Sequence, residues 1–285
     1  MGPARPRSGA DDVAVVAFAS HPDRPDARSL VERSIAWLTS RGHVGREVDR
    51  DQARLGADVD LLVSIGGDGT LLRAVSLAAE EGVPVLGVKI GRLGYLTQVE
   101  PSELAGALER FVTGDYGIEE RMVLSVVVAG CDGDGRTTRL ALNEAVIDKT
   151  VPGHTVRVAT SINERAFVTF AADALLVATP TGSTAYNLSA RGPIVSPRLR
   201  ALVMTPVSPH MLFDRPLVLD PSEQVRLDVL EPRPAVLVVD GASVAPLEPG
   251  SSVTCSAAQE PARLVTFGGH DFHDILRAKF HLADR

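Results

Sequence analysis

Through the first 115 residues apolar positions gather in short, nearly continuous runs, and after that point they alternate with polar ones. Residues 13–18, 61–65 and 83–88 are such runs, the pattern of strands buried on both faces. Between them lie helical periodicities. Asp26 stands where a helix cap is expected, Leu30, Val31, Ile35 and Leu38 then fall on one side, and Gly42 is placed to stop the helix. Residues 71–81 read as a second helix ended by Gly82. Pro101 opens a third, with Leu104, Leu108 and Phe111 as its buried stripe. Strands alternating with helices predict an open, mostly parallel α/β sheet over residues 1–115.

From about residue 116 the pattern is strands joined by turns. Residues 122–129 and 139–147 flank the turn-rich 130–136, and 154–162, 166–170 and 173–178 follow at hairpin spacing. Val225, Leu227 and Val229 alternate with polar neighbours, and 235–239 and 263–267 continue the theme. Residues 116–268 are therefore expected to form an all-β, sandwich-like domain. Residues 269–285 hold a last helix over about 271–280, whose Phe272, Ile275, Leu276 and Lys279 are expected to pack back on the first domain.

Composition narrows the picture little but excludes much. The chain has 285 residues, 45% hydrophobic and 23% charged, which suits one large or two modest globular domains. No apolar run approaches the length of a membrane span, and residues 1–10 lack the apolar core of a signal peptide, so a cytoplasmic location without membrane attachment is expected. The net charge is −7, and both parts are acidic, with 13 basic against 17 acidic side chains in residues 1–115. Neither offers a nucleic-acid face. Cys131 and Cys255 have no ligand spacing and read as reduced structural thiols.

Candidate chemistry begins at Gly66-Gly67-Asp68-Gly69-Thr70, between the second buried run and the second helix. Glycine N–H groups beside a helix start form a pocket suited to phosphate. A carboxylate inside an anion pocket would repel that phosphate unless it held a metal or took a proton, so Asp68 reads as a base or metal anchor for phosphoryl transfer. The competing reading is a tight turn with Asp68 as helix cap. No Lys follows the last glycine, so the loop is not a Walker motif. A second glycine turn, 87–95, carries Lys89 and Arg92 at the same sheet edge. Lys89, one of three lysines in the chain, reads either as a polyphosphate partner or as a solvated loop residue.

Thr179-Pro180-Thr181-Gly182-Ser183-Thr184-Ala185-Tyr186 packs four hydroxyls among small residues, suiting hydrogen bonds to a sugar and base, with Tyr186 available to stack. An ordinary Ser/Thr turn at a helix start is the plainer alternative. Ser183 has no GxSxG elbow around it, so a nucleophilic role is not expected. Asn143-Glu144 interrupts an otherwise apolar stretch, 140–147, as either a buried structural pair or a ligand pair. His270 and His273 lack a third ligand at metal spacing, and zinc is not expected.

These three stretches stand in the order seen in ATP-dependent NAD kinases, and the chain resembles that family over nearly its whole length. Leu276-Arg277 in the tail also resembles the family's last helix. The glycine pentapeptide alone is shared with diacylglycerol, sphingosine and some sugar kinases; the joint match is far more specific. The resemblance implies an α/β domain, a β-sandwich-like domain, a site between them, and a homodimer or homotetramer. It implies that Asp68 is the catalytic base, that Gly66, Gly67, Gly69, Thr70 and Arg73 bind the phosphates of ATP, and that Mg²⁺ accompanies the nucleotide; no metal ligand set is assigned. It further implies that Lys89, Asn143, Glu144, Thr181, Thr184, Ala185, Tyr186, Ser189 and His210 serve the substrate pocket, and that Asp173 reaches a neighbouring subunit's site.

Departures accompany the likeness. Lys89 stands where the family usually has Asn, in a pattern otherwise matched by Gly91, Leu93 and Gly94. Arg191 replaces the first glycine of a usual Gly-Gly-Pro, and Ala172 and Ala174 flank Asp173 where glycines are usual. The expected activity is transfer of a phosphoryl group, from ATP or polyphosphate, to the 2′-hydroxyl of the adenosine ribose of NAD. The alternatives are a 2′-kinase for another, possibly anionic, nucleoside and a non-catalytic nucleotide sensor.

Overall fold

The computed structural model describes residues 13–49, 52, 54–56, 58–91, 96–129, 136–268 and 272–282. Arg92, Leu93, Gly94, Tyr95, Cys131 and His270 lie outside the described residues. The chain divides into two compact units, residues 1–120 with 262–285, and residues 121–261.

In the first unit β1 (Val15–Ser20), β2 (Val44–Glu47), β3 (Leu61–Gly66), β4 (Val85–Lys89) and β5 (Gly117–Arg121) alternate with α1 (Pro25–Ser40), α2 (Asp68–Ala78) and α3 (Leu104–Val112). The sheet order is β2-β1-β3-β4, then Ala262–Thr266 (β18 in chain order), then β5. The β1–β2, β1–β3, β3–β4 and β4–β18 pairings are parallel. All six residues of β3 are buried, as the continuous apolar run predicts. Leu30, Val31 and Leu38 of α1 and Leu104, Leu108 and Phe111 of α3 join the strands in one core. Gly42 and Gly82 end their helices with φ of +81° and +66°, a backbone state that costs glycine nothing.

Four expectations need correction here. Asp26 does not cap α1: the cap position is Arg24, because Pro25 starts the helix with a fixed φ and no N–H to satisfy. Asp26 instead sits in the first turn and pairs with Arg24 at 2.9 Å. The second helix starts at Asp68 rather than at residue 71. β2 was not foreseen, because its Val-Gly-Arg-Glu sequence carries no apolar run. β18, grouped above with the β-rich part, is a strand of the first sheet.

The second unit holds β6 (Leu124–Ala129), β7 (Arg136–Ala141), β8 (Glu144–Lys149), β9 (Val156–Ile162), β10 (Arg165–Ala172), β11 (Ala174–Ala178), α4 (Tyr186–Ser189), β12 (Leu202–Val207), β13 (Leu217–Leu219), β14 (Val225–Val229), β15 (Ala235–Val239), β16 (Ala242–Leu247) and β17 (Ser252–Ala257). They form two six-stranded sheets, β10-β9-β14-β17-β6-β7 and β13-β12-β11-β8-β15-β16. Val126, Leu227 and Val253 of one sheet and Ile147, Leu175, Val177 and Leu237 of the other share one buried core, a sandwich as the alternation predicts. The stretch read as one strand over 139–147 is two: β7 belongs to the first sheet and β8 to the second. Asn143 sits at that crossing and Glu144 opens β8. The chain's last helix, α5 (Phe272–Phe280), belongs with the first unit. Phe272, Ile275, Leu276 and Lys279 are its half-buried positions, the stripe the sequence proposes.

Candidate functional site

In the first unit β3 delivers the chain to the glycine loop. Gly66 is required by the fold itself, since a Cβ there would run into the Thr70 side chain. Gly67 and Gly69 differ: a Cβ on either would meet nothing within 4 Å, and neither has a φ that demands glycine. They are exposed, and Gly69 lies in the first turn of α2, where N–H groups have no intrahelical acceptor. Thr70 and Leu71 already donate to the Gly67 carbonyl at 3.1 and 3.2 Å.

Asp68 does not cap α2, because the cap position is Gly67 and no side chain caps the helix. Its Oδ1 lies 3.4 Å from the Leu96 N–H. Burial lowers the affinity of the Lys279 ammonium on α5 for its proton, and the charge of Asp68 opposes that. Lys279 thus faces the same carboxylate. Arg73, further along α2, lines a cavity of about 360 Å³ together with Ser20, His21, Arg28, Glu47 and Asp49 at the carboxyl ends of β1 and β2, the edge where open α/β sheets place ligands. Arg73 donates to the Asp49 carbonyl at 3.2 Å. Lys89 lies opposite Gly66 in the β3–β4 pairing and forms an ion pair with Glu100.

In the second unit the hydroxyl-rich turn closes over Asn143-Glu144. Thr179 N–H donates to the Asn143 carbonyl at 2.8 Å, and its hydroxyl donates to the Leu142 carbonyl at 2.5 Å. A Cβ on Gly182 would collide with the Asn143 backbone, so glycine lets the two segments touch. Ser183, fully buried, accepts from the Val195 N–H at 2.9 Å and donates back to its carbonyl at 3.1 Å. Thr179 and Ser183 are therefore spent on the fold, and two of the four hydroxyls expected to face a ligand do not. Thr181 is buried, Thr184 and Ala185 are half-buried, and Tyr186 and Ser189 are exposed on α4.

Glu144 is only 6% exposed, and its Oε2 has no hydrogen-bond partner among the described residues. Burial first, and then the charge of Asp240, push its carboxyl up to about 8, against a backbone N–H bond from Tyr186. The Tyr186 phenol is raised by partial burial, then by Asp148 and Asp173. Asp173 pairs with Lys149 at 2.6 Å. His210 is exposed, its backbone N–H donating to the Ala171 carbonyl at 2.7 Å.

The expected residues thus fall into two groups. Gly66, Gly67, Asp68, Gly69, Thr70, Arg73 and Lys89 lie in the first unit; Asn143, Glu144, Asp173, Thr181, Thr184, Ala185, Tyr186, Ser189 and His210 lie in the second. Sequence reasoning missed Lys149, Asp240 and the cavity residues His21, Arg28 and Asp49, and it read Lys279 as part of a packing stripe. Lysine is rare in this chain, and that rarity was the one available signal for Lys149 and Lys279.

Comparison with known proteins agrees with this division. The profile of the ATP-NAD kinase N-terminal domain matches residues 46–116, and that of the ATP-NAD kinase C-terminal domain matches residues 142–267. An NAD kinase of Heliobacterium modesticaldum is 43% identical over 272 residues, covering 90% of this chain and 95% of the relative. One from Citrifermentans bemidjiense is 36% identical over 279 residues, covering 92% and 96%. The fold matches yeast NADH kinase complexed with NADH at a TM-score of 0.86 and 24% identity, over 96% of this chain and 90% of that one. It matches an NAD kinase from Archaeoglobus fulgidus in complex with ATP at 0.73 and 26%, over 95% and 99%. No helix among the described residues is long and apolar enough to cross a membrane. Two matched domains in the right order, together with relatives similar from end to end, establish that the chain belongs to the ATP-NAD kinase family.

Proposed function

We propose that the protein transfers the γ-phosphoryl group of ATP to the 2′-hydroxyl of the adenosine ribose of NAD, yielding NADP and ADP. The observation that carries this reading is the loop Gly66-Gly67-Asp68-Gly69-Thr70, whose two open glycines serve no packing need of the fold. Their N–H groups, with the start of α2, would hold the phosphates in line. Arg73, in the neighbouring cavity, would steady the donor. As the ribose oxygen forms its bond to phosphorus, the bond from phosphorus to the bridging oxygen of ADP breaks, ADP leaves with that electron pair, and Asp68 accepts the hydroxyl proton.

Mg²⁺ would accompany the nucleotide. Asp68, the carboxylate of the glycine loop, would be the protein group nearest to an ion carried on the nucleotide phosphates. Bound there, the ion would neutralise charge on the transferring phosphate. On the acceptor side, Asn143, Glu144, Thr181, Thr184, Ala185, Tyr186, Ser189 and His210 would receive the dinucleotide, and Asp173, with Lys149 beside it, would complete a neighbouring subunit's site in a cytoplasmic homodimer or homotetramer.

An anionic nucleoside as the true acceptor draws no support from Lys89, because Glu100 already balances its charge. The test is a panel of NAD, NADH and free nucleosides with ATP and Mg²⁺, scored by kcat/KM. NAD is expected to lead; a free nucleoside preferred by tenfold or more would replace this reading, and no turnover with any acceptor would favour a nucleotide sensor.

A further inference from the structure

Asp240 and Gly241 join β15 to β16 as a two-residue hairpin loop with φ of +47° and +80°, the backbone of a type I′ turn. A turn of this kind needs Asn, Asp or Gly for its shape and nothing more. Asp240 does more. Its Oδ2 accepts the Leu142 N–H at 2.8 Å, and its Oδ1 accepts the Asn143 and Glu144 N–H groups at 2.8 and 3.1 Å. Its own N–H donates to the Glu144 carbonyl at 3.0 Å. Three successive amides from a segment almost a hundred residues away in sequence thus converge on one carboxylate, at the crossing that presents the Asn143-Glu144 pair.

Both carboxyls are buried and the charge of Asp240 acts on Glu144, so the two cannot both ionise cheaply. Burial raises the Asp240 carboxyl as well, but three N–H donors counter that by stabilising its charge; Glu144 has the single Tyr186 N–H and an oxygen buried without a partner among the described residues. The charge therefore belongs to Asp240 and the proton to Glu144. We propose that Asp240 is a positioning residue for acceptor recognition: it locks the Leu142–Glu144 backbone and keeps the Glu144 side chain a neutral hydrogen-bond donor to the bound nucleoside. This rests on the kinase reading above.

Asp240 faces Glu144 from the β15–β16 turn and Tyr186 faces it from α4; Asp148, Lys149 and Asp173 surround the Tyr186 phenol. Lys149 and Asp173 pair with one another, so after burial itself it is the charge of Asp240 that holds the proton on Glu144.

Asp240→Asn keeps the turn chemistry but removes the charge and puts an N–H₂ group against an amide N–H. In the full chain it should raise KM for NAD by about 10- to 100-fold while kcat stays within a few-fold. In wild type, kcat/KM for NAD should fall as pH rises through about 8; in Asp240→Asn that inflection should move to lower pH. Glu144→Gln, neutral at every pH, should lose the inflection. An Asp240→Asn enzyme with unchanged KM and an unmoved inflection overturns the proposal and leaves Asp240 a turn residue. Should Asp240→Asn not fold, Glu144→Gln decides alone, since an inflection that persists there overturns Glu144 as its source. Absence of NAD turnover in wild type would instead overturn the kinase reading, and this proposal with it.

Discussion

A Cβ at Gly69 would meet nothing within 4 Å, and the residue lies inside α2 with no positive φ, so packing alone would favour alanine there. Glycine in a helix costs up to about 1 kcal/mol relative to alanine. Gly69→Ala should therefore hold or raise the melting temperature while ATP-dependent turnover drops by at least tenfold, because the methyl group occupies the approach to the phosphate cradle. Thermal unfolding and a rate assay on the same sample separate the two effects. Unimpaired turnover would show that the phosphates do not approach that face.

Glu144 offers a second single-residue test, read through stability. Its carboxyl is raised to about 8 in the folded chain from an ordinary 4.5, so the folded state holds the proton more tightly than the unfolded state. Its contribution is then fully present below about pH 4.5, declines as pH rises, and is lost above about pH 8. The loss is on the order of a few kcal/mol. Glu144→Gln cannot lose that proton, so its melting temperature relative to wild type should climb between pH 5 and pH 9. Parallel curves across that range would contradict a buried neutral Glu144.

Elements that turn on local chemistry were legible in the sequence, and those that turn on distant partners were not. The glycine loop, Gly42, Gly82 and the α5 stripe announce themselves through backbone freedom or periodicity. β2 is illegible because a half-exposed strand needs no apolar run, and β18 because nothing in Ala262–Thr266 distinguishes a strand that pairs with β4 from one that extends the sandwich. Asn143-Glu144 were visible as a polar break, yet Asp240, which organises them, reads in sequence only as part of an Asp-Gly turn. The contact between the 179–186 turn and that break has one backbone consequence that can be measured. Gly182→Ala drives a Cβ into the Asn143 backbone, and a clash with backbone cannot relax through a rotamer. A loss of roughly 1–3 kcal/mol in stability, with KM for NAD raised, is expected. Substitution without either effect would mean that the two segments separate freely.

The two units differ in the chemistry of the side chains they carry. The first carries the glycine loop, Asp68 and the cationic Arg73 and Lys279; the second carries the buried carboxyl pair Glu144–Asp240 and the α4 turn. The lone described cysteine, Cys255, is fully buried with its thiol pushed up to about 12, so it has no part in that chemistry, in keeping with the structural role read from its spacing. Arg191 is a further position where backbone and side chain pull apart. It holds φ +64° at an exposed position, a left-handed backbone that glycine adopts most readily, with a charged side chain turned to solvent.

The proposed reaction turns on Asp68, which would take the proton of an NAD ribose hydroxyl as ATP's γ-phosphoryl group arrives. The most direct measurement is the initial rate of NADP formation from NAD, ATP and Mg²⁺ by wild type and by Asp68→Asn, with melting temperatures taken on both. The predicted result is steady NADP formation by wild type and a fall of roughly 10²-fold or more in kcat for Asp68→Asn at an unchanged melting temperature. Wild-type rates in a correctly folded Asp68→Asn enzyme would contradict the account.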